Sequence, residues 1–386
     1  MVKKTPKMKE EILLKAPQGE FKLHRFPERQ KELLRAWDAA DELILEHFDR
    51  KIKLDQDANI LIVNDSFGAL TIPLNNFNPV VWSDSYISHQ AIKANLQLNK
   101  INIKNSCFLS SLETPKAPVD LAIIKIPKTL ALLEDQLVKL QPLITNRTLI
   151  VAGGMIKGLT PNIWKLFERI IGPTNTSLAR KKARLIFVTP DINIKQANNP
   201  YPVKYILENT QNIITNHANV FSRDQLDIGT RFFLQNLPEE PVTGDVIDLG
   251  CGNGILGIML KRQHTEARVH FVDESYMAIA SAKENYQSMH GTLQIDHFHT
   301  SDCLSDFEDK TADLILCNPP FHQHNAVSDH IAMRMLKQSR NSLRNGGELW
   351  LIGNRHLKYH HSLNKIFSNY KIVASNSKFV IYRSLV

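Results

Sequence analysis

Asn318, Pro319, Pro320 and Phe321 follow directly on the apolar run Leu314-Ile315-Leu316-Cys317. A strand that ends this way brings an amide oxygen, a proline-fixed backbone and an aromatic ring to one point, which is equipment for holding a planar amine. Asn-Pro is also an ordinary turn initiator. The tetrapeptide therefore gains its meaning from what must stand beside it.

Upstream, Val246-Ile247-Asp248-Leu249 runs into Gly250-Cys251-Gly252-Asn253-Gly254 and then into an apolar helix start through Ile255, Leu256 and Gly257. Glycines let a ligand approach the backbone, and a helix N-terminus offers free N–H groups, so the segment reads as a nucleotide-type cradle. Gly252, Gly254 and Gly257 also satisfy the G-x-G-x-x-G dinucleotide pattern, with Asp273 closing a second strand, Val269-His270-Phe271-Val272. Three features argue against a nicotinamide cofactor: the additional Gly250, the acid Asp248 at the strand end, and Asn-Pro-Pro-Phe after a later strand.

Together these residues resemble the class I S-adenosylmethionine (SAM) dependent methyltransferases, and Asn-Pro-Pro-Phe resembles the subgroup that methylates exocyclic amines. The resemblance implies that Asp248, Gly250, Gly252 and Gly254 make the methionine and loop contacts, that Asp273 binds the ribose hydroxyls, and that Asp302 approaches the adenine amino group. It makes Asn318, Pro319, Pro320 and Phe321 the catalytic set, with Asn318 also beside the cofactor. Asp227, Gly229 and Thr230 would line the cofactor pocket in the same reading; an N-capped helix accounts for them equally.

The chemistry follows from the residue types. A sulfonium methyl is already electrophilic, so the protein has chiefly to align an amine lone pair with the S–CH3 bond. The exocyclic nitrogens of guanine and adenine are poor nucleophiles because their lone pairs are delocalised into the ring. Acceptors on the amine hydrogens, here the Asn318 side-chain oxygen and the Pro319 carbonyl, would favour a pyramidal nitrogen and stabilise the developing positive charge, while Phe321 would stack on the base. An amide rather than a carboxylate at position 318 fits a reaction that needs no strong general base. A base held this way must be single-stranded, looped or flipped out, which points to a nucleic acid.

The elements that must position these residues occur twice. Ile60-Leu61-Ile62-Val63 runs into Asn64-Asp65-Ser66-Phe67-Gly68; Asp84-Ser85-Tyr86 leads a helix with Lys93 and Asn95; Val119 to Ile124 precedes Lys125-Ile126-Pro127-Lys128. The counterparts are the Gly250 loop, Asp273-Glu274-Ser275-Tyr276 with Lys283 and Asn285, and Ala312 to Cys317 before Asn318. The separations, 186 residues from Gly68 to Gly254, 189 from Asp84 to Asp273 and 193 from Lys125 to Asn318, drift only by small insertions. The chain is thus expected to be an α/β protein of two tandem Rossmann-like class I methyltransferase domains, each a seven-stranded mixed sheet flanked by helices. The first is expected to be degenerate, because Ile62 replaces the loop acid, Asn64 and Ser66 replace two glycines, and Lys125 replaces the amide. Expected boundaries are 1–197 for the first domain, 198–202 for a linker and 203–386 for the catalytic domain.

Within this plan, residues 1 to about 30 read as a loose lysine-rich arm, and Leu33, Leu34, Trp37, Ala40, Leu43, Ile44 and Phe48 predict a helix over 31–49. Arg180, Lys181, Lys182 and Arg184 form a basic cluster, either a phosphate contact or a solvated helix end. A hairpin over 203–215 is expected to open the second domain, and a closing hairpin over 370–382 to end it.

The 386 residues, with a formal net charge of +8 and 43% hydrophobic residues, suit a basic globular chain of about two domains. Cys107, Cys251, Cys303 and Cys317 have no paired spacing, so neither a zinc site nor a disulfide framework is expected. His322, His324, His330, His356, His360 and His361 lack a ligand-spaced carboxylate partner and read as a polar rim and solvated helix ends, without metal. With no apolar leader and no long apolar run, the expected location is cytoplasmic, away from the membrane.

The duplicated arrangement, with Asn219-Val220-Phe221-Ser222 and Asn318-Pro319-Pro320-Phe321-His322-Gln323, resembles the bacterial ribosomal RNA guanine-N2 methyltransferases, nearest their large-subunit (23S) branch. The resemblance implies transfer of a methyl group from SAM to the N2 amine of one guanine in 23S rRNA, with the first domain helping to grip the RNA; the sequence does not give the oligomeric state and is compatible with a monomer. The alternatives are a 16S guanine-N2 enzyme, an adenine-N6 or protein-glutamine methyltransferase, and a non-catalytic RNA-binding assembly factor.

Overall fold

The computed structural model describes residues 12–28, 32–101, 108–291, 297–320 and 326–386. Residues 1–11, Cys107, Phe321, His322, Gln323 and His324 lie outside the described residues. The chain divides into two compact units, Met1–Pro200 and Tyr201–Val386.

In the first unit a hairpin, β1 (Leu13–Ala16) and β2 (Gly19–Lys22), precedes α1 (Ala39–Lys51). There follow β3 (Ile60–Val63), β4 (Val80–Ser83), α2 (Tyr86–Leu98), β5 (Phe108–Ser110), β6 (Leu121–Lys125), α3 (Leu130–Leu140), β7 (Leu149–Met155), α4 (Pro161–Ile170), β8 (Thr174–Thr176) and β9 (Ala183–Val188). The sheet order is β5-β4-β3-β6-β7-β9-β8. The strands from β5 to β7 run parallel, and β9 is antiparallel to β7 and β8. Along β3, Ile60 and Ile62 enter the core on one face while Leu61 and Val63 enter that on the other. Covering both faces is why the strand is apolar throughout instead of alternating.

Three expectations change here. Residues 12–28 are no loose arm: Leu14 and Leu23 are each 1% exposed in the core, and the Asn95 amide holds both the N–H and the C=O of His24. The helix expected from residue 31 starts at Ala39, because Asp38 caps it, accepting from the N–H groups of Ala40 and Asp41 while the Asp41 carboxylate accepts from the Asp38 N–H. Leu33 and Leu34, its supposed core residues, are 58% and 51% exposed. The basic cluster belongs to the β8–β9 connection and the start of β9 instead of a helix end, and two of its cations face α1, Arg180 on Glu46 and Lys181 on Glu42.

The second unit repeats this plan: β10 (Val203–Ile206) and β11 (Ile213–Asn216) form a hairpin before α5 (Ile228–Leu234). Then come β12 (Gly244–Leu249), α6 (Ile255–Gln263), β13 (Ala267–Asp273), α7 (Tyr276–His290), β14 (Phe298–Thr300) and β15 (Ala312–Cys317). The unit closes with α8 (Ala326–Ser342), β16 (Leu343–Asn354), α9 (Tyr359–Phe367), β17 (Lys371–Ser375) and β18 (Phe379–Leu385). Its sheet order, β14-β13-β12-β15-β16-β18-β17, is that of the first unit strand for strand.

The duplication reaches individual hydrogen bonds. Asn285 accepts from the Thr215 N–H and donates to the carbonyls of Thr215 and Asn253, tying hairpin to glycine loop. Asn95 does the same with His24 and Phe67. Ser85 and Ser275 cap the matching helices α2 and α7. Between β3 and β4, where the second unit carries α6, the first unit has turns and a short 3-10 helix. Pro73 stands in that stretch, where a continuing helix would need its N–H.

Candidate active site

Adjacent parallel strands end together, so whatever follows them shares one edge of the sheet. Leu249 pairs with Val272 on one side and Cys317 on the other, and Asp273 pairs with Thr300. Gly250, Asp273, Ser301-Asp302 and Asn318 therefore emerge along a single edge of the second sheet.

The glycine loop turns sharply there. Gly250, Gly252 and Gly254 have φ of 71°, 54° and 78°, in the left-handed region that favours glycine. A Cβ on Gly252 would meet nothing within 4 Å, so this glycine faces open space, as a cradle must. Gly257 does another job. A Cβ there would lie 2.7 Å from Phe271 and 2.9 Å from Val269, so its absence lets α6 press onto β13.

The acids are built into this loop. Asp248 is 1% exposed and accepts from the Gly257 N–H at 2.8 Å. Burial pushes its carboxyl up to about 7, against the pull of that hydrogen bond, and the Asp273 charge adds to the rise. Asp273 accepts from the N–H groups of Gly252 and Ser275, each at 3.0 Å, and burial raises its carboxyl too. Asp302 is 4% exposed, and Arg334 of α8 brings a guanidinium nitrogen within 2.7 Å of it. Burial raises the Asp302 carboxyl and Arg334 holds it back. Met335, the next residue of α8, packs against the Gly250 turn, where a Cβ would meet it at 3.1 Å.

Asn318 stands at the end of β15. Its side-chain NH2 donates to the Thr230 hydroxyl at 3.0 Å. Its side-chain oxygen is buried and has no hydrogen-bond partner among the described residues. A buried acceptor left open costs on the order of 1–3 kcal/mol, so it marks a place where a donor belongs. Pro319 is buried and Pro320 exposed. Asp227 caps α5, accepting from the Thr230 N–H at 2.9 Å and from its hydroxyl at 3.3 Å. Gly229 packs closely against Phe379.

The fold thus brings Gly250, Gly252, Gly254, Asp273, Asp302 and Asn318 to one edge, with Asp248 beneath the loop and Thr230 on the far side of the amide. The cradle fits a nucleoside-bearing cofactor: an open glycine face, acids along its rim and an unmet acceptor. Two participants escaped the sequence reading. Arg334 carried no signal, since its pairing with Asp302 depends on how α8 docks. Asn285 was visible only as a matched position in the repeat, without its bonds.

At the matching positions the first unit satisfies itself. Asn64 keeps the left-handed turn of Gly250, with φ of 62°. The Asp65 carboxylate accepts from the N–H groups of Gly68, Ala69, Leu70 and Thr71 and from the Thr71 hydroxyl, so the loop of the first unit is closed around its own carboxylate. Lys125, in place of Asn318, sits 2.6 Å from Asp41 and 2.9 Å from Asp38.

Among the described residues no group of His, Cys, Asp and Glu could hold a metal ion, and no helix is long and apolar enough to cross a membrane. Cys251, Cys303 and Cys317 are free thiols.

Comparison with known proteins accords with this architecture. The RLMG N-terminal domain profile matches residues 11–192, and the methyltransferase small domain profile matches residues 211–383. Among solved structures, the T. thermophilus 16S rRNA N2 methyltransferase (RsmC), in complex with AdoMet and guanosine, is similar in fold with a TM-score of 0.75. It is 17% identical, with 97% of each chain covered. The protein named ribosomal RNA large subunit methyltransferase G from Aeromonas salmonicida is 45% identical over 97% of this chain and 99% of its own. Those of the same name from Streptomyces avermitilis and Erwinia tasmaniensis are 43% and 46% identical, covering 96% and 94% of this chain and 98% and 96% of their own. With such identity along nearly its whole length, the chain belongs to the ribosomal RNA large subunit methyltransferase G family.

Proposed function

We propose that the second unit transfers a methyl group from SAM to the exocyclic N2 amine of a guanine in 23S rRNA, and that the first unit helps to grip the RNA. The observation that carries the reading is the buried side-chain oxygen of Asn318, which meets no donor among the described residues, at the edge that also bears the glycine loop. Family membership supports large-subunit RNA as the substrate, through the names its relatives bear.

When bound, SAM supplies an electrophilic methyl on a sulfonium. The protein's own residues do the rest. Gly252 leaves room for close approach to the loop, and Asp273 and Asp302 place carboxylates along the rim. The Asn318 oxygen accepts a hydrogen bond from the guanine amine, weakening conjugation of its lone pair with the ring and stabilising positive charge as the nitrogen reacts. The Pro319 carbonyl is the second acceptor in this scheme. No residue has to act as a strong base beforehand; the surplus amine proton is acidic once the N–C bond has formed and leaves to water. In the first unit, Asp65 and Lys125 occupy the matching positions with internal hydrogen bonds and ion pairs, which supports a non-catalytic role for it.

The test is incubation with labelled SAM and rRNA, naked and in assembled subunits, followed by nucleoside mass spectrometry. N2-methylguanosine in 23S rRNA is expected. A different methylated nucleoside, or label confined to 16S rRNA or protein, refutes the proposal.

A further inference from the structure

We propose that Thr230 is a positioning residue that sets which way the Asn318 amide points, through a directional chain running from Asp227 to Thr230 to Asn318. This deepens the function proposed above and rests on Asn318 being the amine clamp.

The direction of the chain follows from donor and acceptor inventory. One Asp227 carboxylate oxygen accepts from the backbone N–H of Thr230 at 2.9 Å, and the Thr230 hydroxyl oxygen lies 3.3 Å from that same atom. A carboxylate can only accept, so the hydroxyl proton turns toward Asp227. The hydroxyl oxygen is then left with lone pairs alone on its other side. The group facing it from Asn318, 3.0 Å away, must be the NH2 end of the amide. The amide oxygen is consequently turned the other way, where it is buried and meets no donor among the described residues. An amide flipped by 180° would draw the Thr230 hydroxyl proton away from Asp227 onto the amide oxygen, and would present NH2 to the guanine amine, donor against donor. Thr230, held by Asp227, thus disfavours the unproductive orientation before substrate arrives.

The same three places in the first unit supply an independent observation. Asp38 caps α1 as Asp227 caps α5, Asp41 stands three residues on as Thr230 does, and Lys125 closes β6 where Asn318 directly follows β15. There the chain has become an ion pair, Lys125 donating to both carboxylates. Lys125 has no acceptor to present. The geometry of the connection survives where the amide is gone, and the unmet oxygen belongs to the unit in which position 230 carries a hydroxyl.

The experiment compares Thr230→Val, Thr230→Ser and Asn318→Ala in the full-length chain, reading kcat on 23S rRNA and SAM affinity by calorimetric titration. Thr230→Val keeps the shape and removes the acceptor. It is expected to lower kcat by about tenfold or more, on the general scale of misplaced reacting groups, with SAM affinity within about twofold of the parent, a margin set by hydrogen-bond energetics. Thr230→Ser restores the hydroxyl and should recover most of the rate. Parental kcat in Thr230→Val overturns the inference, as does an equal loss in Thr230→Ser or a fall in SAM affinity that parallels kcat. Should Asn318→Ala itself retain the parental rate, the clamp reading fails and this inference falls with it. If Asn318→Ala is inactive and Thr230→Val is not, only the positioning role is refuted.

Discussion

Replacing Gly252 and Gly257 separately by alanine distinguishes a glycine that makes room for a ligand from one that makes room for a strand. At Gly252 a Cβ meets nothing within 4 Å, and the φ of 54° is one that alanine adopts at a cost of about 1–2 kcal/mol. For a unit of this size that cost corresponds to a fall in Tm of roughly 2–8 °C, and the fold should survive it. The new methyl would stand in the cradle itself, so SAM affinity should fall by at least about tenfold, the equivalent of roughly 1.4 kcal/mol. At Gly257, alanine in a helix gains about 1 kcal/mol of propensity. Its Cβ would however lie 2.7 Å from Phe271, 2.9 Å from Val269 and 3.1 Å from the Cβ of Asp248. Overpacking of this kind costs about 1–3 kcal/mol, and with three neighbours that close the upper part of that range applies, for a net loss on the order of 1–2 kcal/mol. Calorimetric titration with SAM and thermal unfolding of both variants give the comparison. Gly252→Ala should lose binding out of proportion to stability, and Gly257→Ala the reverse. Parental SAM affinity in Gly252→Ala would refute the placement of the cradle.

Other consequences can be measured on the same protein. Because Asp65 fills the loop of the first unit, titration should return one SAM per chain; a second site of comparable affinity would show that the internal carboxylate does not close it. Asn95→Ala and Asn285→Ala each remove three buried or part-buried hydrogen bonds at matching positions, and each should cost about 2–4 kcal/mol in denaturant unfolding; a loss below about 1 kcal/mol in both would mean that the hairpins hold without them. Burial raises the Asp248 carboxyl from an ordinary 3.8 to about 7 in the fold, so its stabilising contribution is complete below the unfolded value and is lost as pH rises through about 7. Asp248→Asn keeps an acceptor for the Gly257 N–H and should flatten that limb of the Tm profile in the absence of SAM; superimposable profiles for the two proteins would contradict the assignment.

Much of the candidate site was legible because its residue types are rare in combination. Asn318-Pro319-Pro320, the Gly250 loop and Asp273 could each be placed at a strand end from apolar runs alone, and parallel strands that end together deliver them to one edge. The arm before residue 30 misled for the opposite reason. Leu14 ends the three-residue run Ile12-Leu13-Leu14 and Leu23 stands between Lys22 and His24, too little for a periodic signal, yet each is anchored in the core. The helix expected from residue 31 was overextended because Leu33 and Leu34 fit the spacing, whereas the Asp38 cap sets the true start.

The sequence by itself determined the α/β class, the duplication and the placing of the candidate residues at the ends of β12, β13 and β15, since these depend on local runs, turns and repeated spacing. Only the tertiary structure decided which way Asn318 faces, that Asp65 and Lys125 fill the corresponding places in the first unit, and that Arg334 holds Asp302. The physical reason is distance along the chain. The Asn318–Thr230 bond joins residues 88 apart, and the orientation of a polar side chain is set by whichever partners the fold carries to it.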